Sequence, residues 1–435
     1  MADIYPVQTV DDAYDACHPD EALRPGDSRY VDLTAVRGGD NLARIVSRRV
    51  RRTRPPHFHQ QLVSGHRGSG KSTELRQLQA CLLNESFFAI YLDVEDVLDL
   101  GEIKYQDVLI AIARAIAEDL RDAKIDINQR LVEELVSWFD ERILTQEEKE
   151  EQAATLKGEA SVEGKVPFLA RVLASITGEL KSGSSQRTEI RQKLELELSG
   201  FIARLNTLLT VARQGVQKQN YHDLVLLVDG LEKMQYLELA DGESTHSVLF
   251  IHHAEQLKAP ECHLVYTVPI SLVFRVNLGN AFPDAPFLLP MVDYKRSDGK
   301  EKLREIISER IAIEKVFDSE QAVGHLVKMS GGSVRDLMRL VRMSCDTAET
   351  QISQGDVERA CRKLINEFDR FVQDEDIESL RSVAREHTIS FGKTAARLLA
   401  LRLVHEYQNG ERWADIHPAV KEVPRVREAL KELSA

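Results

Sequence analysis

The most specific chemistry in the chain lies in Gly65-His66-Arg67-Gly68-Ser69-Gly70-Lys71-Ser72-Thr73. This stretch satisfies G-x-x-x-x-G-K-[ST]. In that pattern glycines let backbone N–H groups converge on phosphate oxygens, the lysine reaches the β- and γ-phosphates, and the next hydroxyl takes a place on Mg²⁺. A second element is Leu224-Val225-Leu226-Leu227-Val228-Asp229, an apolar run that ends in a carboxylate. A carboxylate there holds Mg²⁺ beside a bound triphosphate. Gly65 to Thr73 and Asp229 together predict a nucleotide ligand with Mg²⁺ held by Ser72 and Asp229.

A phosphate loop works only between a strand and a helix, because the helix N-terminus supplies anion affinity. The flanks fit. Phe58 to Ser64 reads as a short buried strand, and Ser72 to Leu83 places Leu75, Leu78, Cys81 and Leu82 at helical spacing. Further strands are expected at Phe87–Val94, Leu224–Asp229, Cys262–Val268 and Phe287–Met291, with helices at Lys104–Ala123 and Ser247–Leu257 between them. Alternation of this kind predicts an α/β fold, a three-layer P-loop NTPase with a parallel sheet.

The chain has 435 residues, 43% of them hydrophobic and 29% charged, with a net charge of −13. Two or three domains are expected at that length. The acidic balance argues against a surface that is basic all over, and leaves room for a local basic face. Five scattered cysteines without a C-x-x-C fit reduced thiols in a cytoplasmic protein. There is no signal-like N-terminus and no apolar run long enough for a membrane span.

Residues 1 to 35 read as an acidic arm that packs on the nucleotide domain and has no recognisable chemistry. Arg37, Arg44, Arg48, Arg49, Arg51, Arg52 and Arg54 follow on a helix with an apolar face. That stretch reads first as a solvated helix, and second as a contact for phosphates or an acidic neighbouring subunit. A helical insertion is expected at about 124–219. It comprises a helix at Asn128–Ile143, the charged run Gln146–Gln152, an apolar segment at Val166–Ile176 and a flexible linker at Lys181–Gln186. One long helix from Thr188 to Gln214, stopped by Gly215, completes it. The insertion reads equally as a partner-docking element and as a hairpin packed on the core.

From Lys300 the pattern turns helical, and Ser330-Gly331-Gly332-Ser333-Val334-Arg335 breaks and restarts a helix with Ser333 as N-cap. Arg335 falls in the first turn, where the helix dipole disfavours a cation and an anion would explain it. Near the end, helices at Asp374–Glu386 and Lys393–Leu403 precede a hairpin centred on Asn409-Gly410, a type I′ signal. Two helices and a ribbon suggest a winged-helix domain. Lys393, Arg397 and Arg402 are few cations for a groove-reading helix.

The phosphate loop, Asp229 and the Gly-Gly-Ser-Val-Arg segment together resemble the AAA+ and STAND ATPases, closest to their origin-recognition-like and NACHT-like members. The resemblance covers about residues 36–350 less the insertion. It implies ATP as the nucleotide, ATP hydrolysis, Thr267 as a γ-phosphate sensor and Arg335 as a second sensor from a helical lid. Where many AAA+ enzymes keep a water-orienting glutamate, this chain has Gly230. Asp229-Gly230-Leu231-Glu232-Lys233 matches the NACHT-like Asp-Gly-x-Asp-Glu pattern only in part, with Glu232 in the acidic role. The resemblance therefore implies slow hydrolysis, and leaves a trans-acting arginine open between Arg275 and Arg310.

The expected organisation is an arm (1–35), an ATPase core (36–296) carrying the insertion, a lid (297–365) and a winged-helix-like domain (366–435). The expected function is a nucleotide-gated switch or oligomerising regulator of a protein partner, of the kind that serves bacterial defence. The alternatives are a DNA-binding initiator or loader and a pseudo-ATPase scaffold.

Overall fold

The computed structural model describes residues 5–125, 127–143, 165–183, 185–240 and 242–433. Helices of seven or more residues are numbered below. The charged run Gln146–Gln152 lies outside the described residues.

The five strands of the main sheet are β1 (Gln60–Gly65), β2 (Phe88–Asp93), β3 (Leu224–Asp229), β4 (His263–Pro269) and β5 (Phe287–Leu289). All pair in parallel, in the order β2-β3-β4-β1-β5. β3 and β4 are buried along their whole length, as their continuous apolar sequences require when both faces are covered. One face is covered by α2 (Leu42–Arg52) and α3 (Lys71–Asn84), which bury Leu42, Val46, Val50, Leu75, Leu78 and Leu82 against Val225, Leu227 and Val265. The other face receives α4 (Tyr105–Asp122), α5 (Gln129–Arg142), α6 (Lys165–Ser182), α7 (Ser185–Leu196) and α8 (Leu198–Lys218). This is a three-layer α/β sandwich around a parallel sheet, as the alternating pattern predicts.

The insertion packs on the core. Phe139, Leu169, Leu173, Ile176, Ile190, Leu194, Phe201 and Leu205 join the cluster formed by the β2 and β3 side chains. Two expectations here fail. The polar stretch Lys181–Gln186 is no flexible linker, because α6 runs to Ser182 and α7 resumes at Ser185. Arg187 and Arg191 hold that junction to α4 and its approach through Asp99, Glu102 and Asp107. The long helix is broken at Glu197 into α7 and α8, and α8 passes Gly215 to end at Lys218. Asn220, at φ +67°, turns the chain there instead.

Beyond the sheet come α9 (Ser297–Ser308), α10 (Glu320–Met329), α11 (Val334–Cys345) and α12 (Gln354–Asp369), then α13 (Ile377–Glu386), α14 (Lys393–Ala400), β6 (Val404–Asn409), β7 (Glu411–Ile416) and α15 (Pro424–Lys431). They share one apolar cluster with α1 (Val10–Ala16) and the rest of the arm. The β6–β7 ribbon is antiparallel, but its turn is not type I′. Asn409 pairs with Glu411 around Gly410, which alone takes a left-handed φ of +81°. A type I′ turn needs two left-handed residues. The ribbon also faces inward: Tyr407 is buried, and the Met291 N–H donates to the Glu406 carbonyl at 3.0 Å. Among the described residues no helix is long and apolar enough to cross a membrane, and all five cysteines are free.

Candidate nucleotide-binding site

The turn from β1 into α3 forms the loop that the motif predicts. Gly70 sits at φ +91° with open space where a Cβ would be. Gly68 also has φ +91°, and a Cβ on it would stand 2.6 Å from Arg335 Cβ. Only glycine tolerates both the backbone and the approach. The start of α11 is thus in direct contact with the loop, and the Arg335 N–H donates to the Gly68 carbonyl at 3.3 Å.

Lys71 is buried and folded back over the loop. Its Nζ donates to the Gly65 and His66 carbonyls at 3.1 and 3.0 Å and pairs with Glu232 Oε1 at 3.3 Å. Glu232 is brought there by a 3₁₀ turn, Leu231–Lys233, that follows Gly230 at φ +89°. Burial opposes its ionisation, yet Lys71 and then Thr267 outweigh burial and hold its carboxyl below the ordinary value. Thr267, at the end of β4, is fully buried and also accepts from the Leu231 N–H at 3.2 Å.

Asp229 ends β3 and accepts hydrogen bonds from the Gly230 N–H at 2.8 Å and from the Tyr91 hydroxyl at 2.5 Å. Burial, then the Glu232 charge, push its carboxyl up, against hydrogen bonds from Ser72 and Tyr91. The fold therefore gathers the buried Lys71, Asp229 and Thr267 with Glu232 and the half-buried Ser72 into one cluster, although nearly two hundred residues separate Lys71 from Thr267 in the sequence.

Next to this cluster is a pocket with a volume of about 100 Å³. It is lined by Gly68, Ser69, Gly70 and Thr73 on the loop side, and by Val334, Arg335 and Met338 from the lid. Its third wall is the arm, from His18 to Leu33, followed by Arg37. The arm packs on the site: the Leu23 N–H donates to Thr73 Oγ1 at 3.2 Å, and Asp20 pairs with Arg335. Arg37 is not on the solvated helix either. It is buried in the pocket wall, and its Nε and Nη2 have no partner among the described residues.

The donor set fits a triphosphate with its cation. Ser69 Oγ, Glu232 Oε2 and two Arg37 nitrogens are buried and unpartnered. Burial, then the Arg67 charge, disfavour the Arg335 cation, and burial disfavours that of Arg37. An arriving polyanion would relieve this crowding of positive charge. Ser72 and Asp229 would hold Mg²⁺, which would neutralise phosphate charge there.

Other expected residues sit elsewhere. Arg67 is exposed at the tip of the loop. The His66 ring turns away from the pocket, and its Nε2 accepts from the Glu406 N–H of β6 at 2.9 Å. Arg310 is the exception and lines the same pocket, but it is buried and donates to the Arg29 and Ile306 carbonyls, so it cannot act on a neighbouring subunit without leaving the core. Arg275 is held within its own chain by Tyr236, Glu238 and the Gly242 carbonyl.

Sequence reasoning missed Tyr91, with Arg76 stacked on its ring at 4.1 Å, and the contact of β6 with the loop. Tyr91 was legible only as a hydroxyl in an otherwise apolar strand. The pairing of His66 with a backbone amide 340 residues later leaves no local signal.

This is a P-loop NTPase fold. Solved structures similar to it include Cdc6p from Pyrobaculum aerophilum, at 14% identity and TM-score 0.40, covering 98% of this chain and 100% of that one. The Orc1 protein of Aeropyrum pernix, solved with DNA, is similar at 15% identity and TM-score 0.39, over 96% of each chain. A Walker-type ATPase of Pyrococcus abyssi is similar at 13% and 0.38, over 93% of this chain and 99% of that one. No family model and no curated protein matches the chain. The similarity concerns the fold alone.

Proposed function

We propose that the protein is an ATP-binding, slowly hydrolysing ATPase of the AAA+ type that works as a nucleotide-gated switch. The observation that carries this reading is the ion pair between Lys71 and Glu232 inside the loop, beside Asp229 and Ser72. Binding of a triphosphate would draw Lys71 onto the phosphates and release Glu232, ionised, to orient a water. Lys71 and Arg335 then gain contacts present in only one state, and such differential contacts shift a population.

The output follows the bonds that leave the loop. His66 is held by the β6 backbone, and the Gly331 carbonyl in the lid turn accepts from Tyr407 Oη at 2.7 Å and pairs with His405 Nδ1 at 3.0 Å. A change in the loop would therefore be felt by the C-terminal module, which is the element available to a protein partner or a second copy.

The test is binding of a fluorescent ATP analogue with and without Mg²⁺, alongside Lys71→Ala, Glu232→Gln and mass photometry. Lys71→Ala should abolish Mg²⁺-dependent binding, while Glu232→Gln should keep binding and lose phosphate release. Undiminished binding in Lys71→Ala would overturn the reading. Retained binding without turnover in the unaltered protein would make it a nucleotide-holding scaffold.

A further inference from the structure

We propose that the outer face of α2 binds the phosphate backbone of a nucleic acid. The proposal goes beyond the nucleotide reading, because no residue of α2 lines the nucleotide pocket.

The inner face of α2 is fixed. Leu42, Val46 and Val50 are buried under Leu75, Leu78 and Leu82 of α3. The helix is therefore a rigid mount for what points outward, and that is arginine. Arg44, Arg48, Arg51 and Arg52, with Arg54 just beyond the helix, are all exposed. Arg44, Arg48 and Arg52 recur every four residues, so they form a row with about 6 Å of rise between neighbours.

These cations are not spent. Among the described residues, the side chains of Arg44, Arg48, Arg52 and Arg54 make no hydrogen bond or ion pair. By contrast, Arg49 donates to Gln61 at 2.7 Å, and Arg51 reaches Glu85 only at 4.0 Å. In a chain of net charge −13, four unpaired arginines on one small surface are a local reversal of the overall field.

Two features choose the occupant. Every cation from Arg37 to Arg54 is arginine, with no lysine among them. The guanidinium fork matches phosphate bidentately and is weakly hydrated. A protein interface would need an apolar centre inside its polar rim. None of the exposed large hydrophobic side chains lies between residues 41 and 57.

The experiment is fluorescence anisotropy of the full chain with a short labelled duplex and its single strand, across a KCl series. The variant is Arg44→Ala/Arg48→Ala/Arg52→Ala/Arg54→Ala, with Lys393→Ala as a basic control in the C-terminal module. We expect salt-sensitive binding to at least one probe and no change for Lys393→Ala. For the quadruple variant we expect the slope of log K against log salt on duplex to fall by about 3 to 4. Binding of the ATP analogue should be unchanged in that variant, and Lys71→Ala should still bind the probe without nucleotide, so failure of one proposal is distinguishable from failure of the other. No binding to either probe, or equal binding by the quadruple variant, would overturn it. So would self-association lost in the variant without any affinity for the probes, which would assign the row to an acidic protein surface.

Discussion

Two basic regions of this protein look alike on paper and differ completely in the fold. Arg44, Arg48 and Arg52 on α2, and Lys393, Arg397 and Arg402 around α14, are each three cations at near-helical spacing. On α2 these three arginines pair with no carboxylate among the described residues. Around α14 nearly every charge is consumed internally. Arg402 Nη1 contacts both oxygens of the fully buried Asp336 at 2.7 Å, Arg397 pairs with the buried Asp376, and Lys393 stands 3.7 Å from Glu238. A cation count is thus a poor guide to a binding surface, because the deciding quantity is the carboxylate each cation meets after folding. The C-terminal module spends its arginines on its own architecture.

The same cluster shows why a metal is a poor description of it. Asp336, His405 and His417 converge in a buried group. However, His417 Nδ1 already accepts from the Ala419 N–H at 3.0 Å, so the neutral ring carries its proton on Nε2, 3.8 Å from Asp336 Oδ2. Arg402 covers both carboxylate oxygens. Burial opposes ionisation of Asp336, but Arg402 and His417 outweigh it and hold the carboxyl well below its ordinary value.

The contrast can be broken by experiment. Arg402→Ala leaves the buried Asp336 with Arg339 alone, at 3.3 Å, and urea unfolding should show a loss of about 3–5 kcal/mol; a near-neutral result would mean that Arg339 alone compensates the carboxylate. Arg397→Ala leaves Asp376 with an unmet acceptor and should cost about 1–3 kcal/mol in the same assay.

Acid should act on the buried histidine side of the module. Burial, aided by the nearby Lys71 charge, lowers His66 from 6.5 to about 3. The unfolded chain binds that proton first, so the contribution of His66 is complete above pH 6.5 and is lost as pH falls toward the folded value. Lowering pH from about 7.5 to about 5.5 should remove about 1.4 kcal/mol for each such histidine, and His66→Asn should flatten the measured dependence. The smallest effect belongs to α2: Arg48→Ala should change stability by less than about 0.5 kcal/mol, and a larger loss would show that its face is structural.

Much of the fold was legible. β3 runs from Leu224 to Asp229 as the apolar run dictates, Ser333 caps α11 by accepting from the Asp336 N–H, and the phosphate loop lies between its strand and helix. The failures share a cause. Lys181–Gln186 is polar enough to read as linker, but tertiary ion pairs from Arg187 and Arg191 order its flank. The helical stripe across Glu197 keeps its period while the backbone breaks. The arm has no motif at all, and its place on the pocket rests on backbone bonds such as Leu23 N–H to Thr73. Contacts between distant segments leave little mark on local pattern, and at this site they supply a wall of the pocket and the mount of the loop.

The bond from the Glu406 amide to His66 spans 340 residues. Ribosomes add about 5–20 residues per second, so the loop leaves the ribosome roughly 17–70 s before its partner strand has been made. The N-terminal arm waits as well, since Val7 bonds to Arg310 and Ala312 on the far side of the sheet sequence. A stretch translated 340 residues after the loop thus fixes the loop in place, and the site is finished only once that stretch has been made.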